Sequence, residues 1–145
     1  MLSIATDDDL DGVYSLLQAM HEESGVAPVN EIKAQGVISQ RISDGGCIIA
    51  RNKSGIVGSV GIYKESWWYS DDLAFFDQWF FVHPKNRSEG HAVCLIAALK
   101  QAARDENIPF VLRVGTSADA LAKLKFFKKH LTPFGGAFVY MPVAA

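Results

Sequence analysis

The spacing of apolar residues along the chain changes from the period of a strand to that of a helix several times. Residues 2–5 predict a short first strand, and Thr6 with the three aspartates after it is typical of a helix start, because acids favour the positive end of the helix dipole. The apolar face of this helix recurs at helical spacing: Leu10, Val13, Tyr14, Leu17 and Met20. The polar residues 21–25 are predicted to form the loop after it, and residues 30–43 a second helix.

A hairpin is predicted next, with strands at residues 47–51 and 56–63 joined by a turn at residues 52–55. Its glycines mark strand positions that another group approaches closely: Gly55, Gly58 and Gly61. Neither G-x-x-x-x-G-K-[ST] nor G-x-G-x-x-G occurs here, so these glycines do not indicate a nucleotide-binding loop.

The chain is organised around residues 80–103, which begin as a strand, break at Pro84 and continue as an amphipathic helix. A helix N-terminus offers unpaired amide groups and a positive dipole end to an anion. Gly90 and Ala92 are small enough to let a ligand reach that backbone, and Arg87 adds a planar cation. This junction therefore predicts a pyrophosphate site.

The remaining chain predicts a buried strand at residues 110–114, a fourth helix at residues 119–130 and a last strand at residues 137–143. The apolar side of the fourth helix is predicted to face inward: Leu121, Leu124, Phe127 and Leu131. Its other side carries four lysines, either as a solvated surface or near ligand phosphates: Lys123, Lys125, Lys128 and Lys129.

An aromatic loop, residues 67–72, links the hairpin to the central strand. Grouped aromatic side chains either form a lid over a binding site or cover the edge of the sheet, and the pattern leaves both interpretations open. Asp71 and Asp72 are expected to belong to a solvated turn.

Composition excludes several classes of protein. A chain of 145 residues with 49% hydrophobic residues fits one globular domain, and a net charge of −2 gives no basic surface for nucleic acid. Its two cysteines have neither metal-ligand spacing nor the pattern of a disulfide framework. Without a leader-like start or a long apolar run, no membrane partner and a cytoplasmic location are expected.

The order Val82-x-Pro84, then Arg87-x-x-Gly90-x-Ala92, resembles the coenzyme A loop of the GNAT acyltransferases, V-x-P followed by Q/R-x-x-G-x-G/A. The position of this motif between a strand and an amphipathic helix strengthens the resemblance. The resemblance implies a single-domain α/β fold over residues 1–145. Its sheet would be mixed and mostly antiparallel, with about six or seven strands and helices on both faces.

The resemblance also implies acetyl-coenzyme A as cosubstrate, no metal, and transfer of the acetyl group to a primary amine. The acceptor would be a small-molecule amine, or a lysine or N-terminal amine of a protein, and a homodimer is compatible with it. The implied cofactor-binding residues are Phe81, Val82, Arg87, Ser88, Glu89, Gly90, His91, Ala92, Ser117 and Phe127.

The catalytic base is expected from the central strand or from the loop beside the acceptor. Strand alternation predicts Gln78 on the face of Phe80, where its amide can hold a water, and Asp77 on the other face unless a bulge turns it inward. Glu22, or its neighbour Glu23, is a third candidate, acting through water.

One residue departs from the family pattern. Many GNAT proteins carry on the fourth helix a tyrosine that protonates the leaving thiolate, whereas Phe127 stands at the matching position and has no proton to give. Two hypotheses follow: an active N-acetyltransferase, or a non-catalytic coenzyme A-binding or protein-interaction module on the same fold.

Overall fold

The computed structural model of the chain describes residues 1–114 and 120–134. Its strands are β1 (Leu2–Ile4), β2 (Cys47–Asn52), β3 (Gly55–Ser66), β4 (Leu73–Val82) and β5 (Phe110–Val111). Its helices are α1 (Leu10–Ser24), α2 (Glu31–Ser43), α3 (His91–Glu106) and α4 (Ala120–His130). The strands form one sheet in the order β1-β2-β3-β4-β5, in which neighbours are antiparallel except for the parallel pair β4 and β5.

Helices cover both faces of this sheet. One core lies under α1 and α2 and contains Val13, Ile38, Cys47, Ile49 and Trp79. The other lies under α3 and α4 and contains Val60, Phe80, Leu95, Leu99 and Phe127.

The predicted α/β architecture, with a mixed sheet and helices on both faces, is confirmed. The described residues form five strands rather than six or seven, and the strand predicted at residues 137–143 lies outside them. No helix among the described residues has the length and apolar character needed to cross a membrane.

Local capping sets the helix boundaries. The side chain of Asn30 accepts a hydrogen bond from the amide of Lys33 at 3.0 Å, which starts α2 where the sequence predicts it. The Asp9 carboxylate accepts from the amide of Thr6 at 2.8 Å and pairs with Arg51, and these bonds lower the pKa of Asp9.

Helix α1 continues to Ser24, so the predicted loop over residues 21–25 is wrong. The helix stops only at Gly25, whose backbone is extended. Glu22 and Glu23 therefore lie in the last turn of a helix.

A bulge at Gln78 shifts the phase of β4. Gly61 is opposite Trp79 and Ile62 is opposite Asp77, so Gln78 is an extra residue without a partner in β3. Its side chain is turned to the α2 side, where its oxygen accepts from Arg41 at 3.4 Å. The expectation that Gln78 shares the face of Phe80 is therefore wrong, and Asp77 takes that face because the inserted residue reverses the alternation.

Gly61 is needed at this bulge. A Cβ at this position would lie 2.6 Å from the indole of Trp79, so any larger residue would displace the ring. The expectation that a neighbouring group approaches this glycine closely is confirmed.

Strand β5 is shorter than predicted. It pairs with β4 only through Phe75 opposite Phe110 and Phe76 opposite Val111, and the ladder ends one residue before Asp77. Because the bulge bends β4 there, residues 77–82 present an edge that no described strand pairs with.

Helix α4 is rotated relative to the prediction. Leu121 is 81% exposed and Leu124 is 43% exposed, whereas Phe127 is buried and Lys123 is turned inward. The inward positions follow one helical stripe: Lys123, Phe126, Phe127 and His130. Phe127 and Leu131 pack inward as predicted, whereas Leu121 and Leu124 do not, because the two adjacent phenylalanines bury more area than these two leucines.

A buried hydroxyl on β3 links the neighbouring strands β2 and β4. Ser59 donates to the carbonyl of Ile48 at 2.9 Å and accepts from the indole nitrogen of Trp79 at 3.0 Å. Both side chains are almost completely buried, so no water can replace the serine as the partner of the indole.

We expect Ser59→Ala to lower the free energy of unfolding by about 1–3 kcal/mol, because the Trp79 N–H would lose its partner inside the core. Urea denaturation followed by circular dichroism measures this. Ser66→Ala, at the exposed end of β3, is the matched control and should change it by no more than about 0.5 kcal/mol. Equal effects of the two substitutions would show that the hydroxyl does not matter.

Candidate active site

A cleft of about 1850 Å³ runs along the open edge of β4. The strand forms its floor, α4 and the chain after β5 form one wall, and the start of α3 closes one end. The end of α1 and the aromatic loop contribute Met20, Glu23 and Trp67. The cleft therefore brings together the two parts of the chain from which the sequence predicts cofactor and acceptor sites.

Three cationic side chains donate to the carbonyl groups of this edge. Arg113 donates through Nη2 to the carbonyl of Asp77, and Lys123 through Nζ to that of Phe80 at 2.9 Å. Arg87 donates through Nε to the carbonyl of Val82 at 3.1 Å. The carbonyls of Asp77, Phe80 and Val82 face the same edge only because Gln78 is inserted between them.

The amide of Phe80 points to the same side as its carbonyl. In an antiparallel pair, the N–H and C=O of one residue are directed to the same edge of the strand. Because the Phe80 carbonyl meets Lys123 in the cleft, the Phe80 N–H is also directed there. The site thus offers a main-chain donor beside an ammonium group.

The ammonium of Lys123 lies in an apolar setting. Nζ lies 5.9 Å from the centroid of the Phe80 ring and 6.0 Å from that of Phe127. Burial lowers the pKa of Lys123, since the charged form is poorly solvated; the negative charges of Asp77 and Glu23 oppose this shift and Arg87 adds to it.

Asp77 is held by Arg113. Its Oδ1 accepts from Nε of Arg113 at 3.0 Å and from the Arg113 main-chain amide at 3.3 Å. The carboxylate raises the pKa of Arg113, which keeps the guanidinium charged. The bulge does bring Asp77 to the cleft, as the sequence argument required for a base, but there it is already paired with a cation.

Arg87 is held on the opposite side by α1. Its Nη2 lies 2.9 and 3.0 Å from the two carboxylate oxygens of Glu23, and its guanidinium carbon lies 5.4 Å from the centre of the Phe81 ring. The predicted phosphate-binding cation is therefore paired with a carboxylate.

The turn after β4 forms an open cradle. A 3₁₀ turn, Pro84–Glu89, begins at Pro84 and leads into Gly90, whose φ of 83° is left-handed. Apart from the chain neighbours of Gly90, no atom of the described residues lies within 4 Å of where its Cβ would be, so the space beside Gly90 is open. Backbone amides at a helix N-terminus with open space in front of them fit a phosphate group.

Glu89 shapes this turn. It accepts hydrogen bonds from Asn86 at 2.9 Å and from Asn52 at 3.1 Å, and it lies 2.9 Å from the ring nitrogen of His91. These bonds, with that from Asn86 the largest cause, lower the pKa of Glu89 to about 2. Ser88, Glu89 and His91 do not line the cleft, and two of them instead fix the conformation of the turn.

Of the other predicted site residues, some line the cleft and some do not. The cleft is lined by the predicted residues Asp77, Gln78, Phe81, Val82, Arg87, Gly90, Ala92 and Phe127. Glu22 is exposed on the last turn of α1 and is not among the lining residues, whereas Glu23 is. Ser117 lies outside the described residues.

Lys123 and Arg113 line the cleft although the sequence did not predict them as site residues. The signal for Lys123 was present, because it stands at i−4 from Phe127 and i−3 from Phe126, on one helical stripe with both rings. For Arg113 we find no local signal, since its role depends on where β5 stops.

The aromatic loop combines both interpretations left open above. Trp67 packs edge-on against Phe76 at 5.4 Å and against Phe134 at 6.0 Å, and it also lines the cleft. Trp68 is 95% exposed and Tyr69 is 68% exposed. One residue thus covers the sheet edge and forms a cleft wall, while the other two face solvent.

No group of three or more His, Cys, Asp or Glu side chains that could hold a metal ion occurs in the described part of the chain.

Comparison with known proteins assigns the fold to a family. The model of the acetyltransferase (GNAT) family matches residues 10–131. No curated protein matches the chain.

Solved structures with this fold include three acetyltransferases. A ribosomal-protein-alanine N-acetyltransferase from Brucella melitensis biovar Abortus 2308 is 16% identical, with a TM-score of 0.72 and coverage of 99% of each chain. A predicted acetyltransferase with acetyl-CoA from Clostridium acetobutylicum is 14% identical, with a TM-score of 0.76 and coverage of 98% of this chain and 95% of that one. An aminoglycoside 6'-N-acetyltransferase from Acinetobacter haemolyticus is 14% identical, with a TM-score of 0.71 and coverage of 100% and 99%.

We expect Glu23→Gln to lower the Kd of acetyl-coenzyme A by up to about fivefold. The substitution removes the carboxylate that holds Arg87, and an exposed ion pair of this kind is worth about 0.2–1 kcal/mol. Isothermal titration calorimetry at low salt measures the change.

Glu22→Gln is the matched control, because it alters the net charge equally at a neighbouring position that does not contact Arg87. If both variants bind acetyl-coenzyme A equally well, the change reflects net charge alone and Arg87 is not restrained by Glu23.

Proposed function

Because this chain belongs to the acetyltransferase (GNAT) family, we propose that it transfers the acetyl group of acetyl-coenzyme A to a primary amine by direct attack. The observation that carries this proposal is the open edge of β4, which leads directly into the free turn at Gly90. One ligand with an amide-containing arm and a pyrophosphate matches both features. When bound, this ligand supplies an acetyl group activated as a thioester.

The edge of β4 suits the pantetheine arm. Its amide groups can pair with the main chain of residues 80–82 in the manner of an added strand. The pyrophosphate would then lie at the start of α3, against the amides after Gly90 and beside Ala92. Ser88, Glu89 and His91 would act by keeping this turn in place, and the expected cofactor contact of Ser117 stays a prediction.

Carbonyl chemistry needs a donor for the oxygen that becomes negative. The N–H of Phe80, directed into the cleft, is the best placed main-chain candidate. Its position is supported by the hydrogen-bonded ladder on the other side of β4, which keeps the strand rigid.

The acceptor nitrogen must lose a proton before it attacks, because a primary amine is largely protonated at neutral pH. Glu23 lines the cleft and can take this proton through water, once it is not engaged with Arg87. Asp77 is a weaker candidate because Arg113 holds it, Gln78 can only orient a water, and Glu22 would act from the rim.

The acceptor is proposed to be a small-molecule amine or an amine of a protein. Proteins of the same fold include acetyltransferases named for aminoglycosides and for a ribosomal protein alanine, which supports both classes. The wide cleft, flanked by Trp67 and the end of α1, is compatible with either.

A non-catalytic coenzyme A-binding module is the second candidate, and Phe127 is the observation that favours it. The ring is buried, packs edge-on against Phe80 at 5.4 Å, and carries no hydroxyl that could protonate a thiolate. Both candidates require that acetyl-coenzyme A binds.

We expect acetyl-coenzyme A at a hundredfold excess over its Kd to raise the free energy of unfolding by about 2.7 kcal/mol, and Gly90→Glu to abolish this. The glutamate would place bulk and negative charge in the open space proposed for the pyrophosphate. Thermal denaturation with and without ligand measures the shift.

Two controls separate charge from backbone strain. Gly90→Asn tolerates the left-handed conformation without adding charge and should keep a substantial shift. Gly36→Glu, in open space on the exposed side of α2, adds the same charge elsewhere and should keep the full shift. A ligand-induced shift that survives Gly90→Glu, or is absent in the wild type, would contradict the proposed binding site.

An acceptor panel then separates the two candidates. Aminoglycosides, a peptide with an N-terminal alanine and a lysine peptide are tested with released coenzyme A as the readout. Turnover with any of them supports the enzyme, whereas binding of acetyl-coenzyme A without turnover across the panel supports the non-catalytic module.

A further inference from the structure

Among the described cations that donate to β4 in the cleft, only Lys123 can release a proton. Arg87 and Arg113 also donate to this edge, but a guanidinium stays charged at every accessible pH. A lysine ammonium can lose its proton, and here it lies among aromatic rings on the inner stripe of α4. The proposed reaction leaves a thiolate that must be neutralised, and Phe127 cannot do this.

We propose that Lys123 is a catalytic residue that first neutralises and then protonates the departing thiolate of coenzyme A. The inference rests on the function proposed above, since it assumes that acetyl-coenzyme A occupies the cleft. It assigns to α4 a chemical role that is independent of the Phe127 ring.

The position of Nζ of Lys123 on β4 supports this role. Nζ of Lys123 lies 2.9 Å from the Phe80 carbonyl, and the Phe80 N–H is directed to the same edge. A thioester oxygen that accepts from this N–H therefore lies beside the ammonium, and the sulfur is one bond from the same carbon. Rotation about the bonds of the lysine stem would then bring Nζ from the carbonyl towards the sulfur.

The burial of Lys123 and the charges around it also support this role. Burial lowers the pKa of Lys123 from its ordinary value, so its ammonium gives up a proton more readily than an ordinary lysine does. A positioned side chain that can give up a proton can act as a general acid. The charged groups that influence Nζ are Asp77 on β4, Glu23 on α1 and Arg87 after β4.

Other charged groups in the cleft are Lys100 and Arg104 on α3, Lys128 on α4 itself, and Arg113, which is paired with Asp77. Of the charges that act on Nζ, Asp77 and Glu23 favour the ammonium and Arg87 favours the neutral amine, and burial is the largest cause of the lowered pKa.

The step balances without another reactant. The acceptor nitrogen forms a bond to the acetyl carbon, and the carbon–sulfur bond breaks with its electron pair going to sulfur. Lys123 gives its proton to sulfur, which produces the free thiol of coenzyme A. The acceptor ammonium loses one proton before it attacks and a second after the new bond has formed. One of these is returned through water to the neutral Lys123 amine, and the other is released to solvent.

The first experiment titrates the thiol of coenzyme A bound to the protein, by the ultraviolet absorbance of the thiolate. In the wild type, we expect the bound thiol to dissociate its proton about tenfold more readily than free coenzyme A, because an adjacent cation stabilises the thiolate. In Lys123→Met, the thiol should behave like that of free coenzyme A or as a weaker acid. Lys125→Met, on the exposed side of the same helix, should match the wild type.

Each result decides a different point. If coenzyme A binds to both proteins and its thiol titrates identically in wild type and Lys123→Met, Lys123 does not act on the sulfur and the proposal is overturned. If Lys123→Met changes only the Kd, Lys123 is a binding residue and the proposal is overturned as well. If the wild type does not bind coenzyme A, the proposed function itself is wrong. Lys123→Gln, which also lacks the charge but can still donate to Phe80, replaces the methionine variant if that protein does not fold.

The second experiment follows turnover against pH with an acceptor from the panel. The wild type should lose kcat on the alkaline side as Lys123 loses its proton, at a pH below that of an ordinary lysine, because its pKa is lowered. Lys123→Met should lower kcat about 10²-fold and abolish this alkaline decline, with little change in the Kd of acetyl-coenzyme A. Lys123→Arg should restore part of kcat through its charge, again without the decline. An alkaline decline that persists in both variants would overturn the proposal.

Discussion

The main-chain carbonyls along the open edge of β4 need hydrogen-bond donors, and the rest of the site is arranged around this requirement. A buried carbonyl without a partner costs free energy comparable to a lost hydrogen bond. The chain meets the requirement with three side chains from three separate segments, Arg113, Lys123 and Arg87. Each of them brings positive charge to a groove whose proposed ligand is an anion.

The insertion of Gln78 is what creates the edge. It turns the carbonyls of Asp77, Phe80 and Val82 towards the cleft and bends β4 away from β5, so one residue both opens the strand pair and aligns its polar groups. The hydrogen bonds of Ser59 and the close fit of Trp79 against Gly61 anchor the other side of the strand. The cleft side of β4 is therefore unpaired, while its other side is held in place by β3.

Features that depend on a few consecutive residues were predictable from the sequence. The start of α2 at Asn30 and the strand break at Pro84 follow from local conformational preferences, and the predicted coenzyme A loop rests on that break and on the small residue Gly90. The cleft then joins this loop to the central strand as the resemblance implies. These local rules need no knowledge of the partners across the sheet.

The bulge and the rotation of α4 were not predictable in this way. Strand β4 is apolar on both faces around Asp77 and Gln78, so its alternation has no phase from which an inserted residue could be recognised. In α4, leucines and phenylalanines offer two overlapping apolar faces, and a charged residue such as Lys123 is assigned to solvent by default. Only the carbonyl that β4 leaves open explains why this lysine points inward.

The three cationic side chains along β4 also affect how the protein meets other copies of itself. An exposed strand edge is a template on which a strand from another molecule can add, and this is a common route to aggregation. Along β4 an incoming strand would have to displace Arg113, Lys123 and Arg87 from the carbonyls. Their charges would then lie unpaired against the incoming backbone. The pantetheine arm proposed for this edge would displace the same side chains from Phe80 and Val82, but coenzyme A brings phosphate charge that can pair with the released cations, whereas the backbone of another copy brings none.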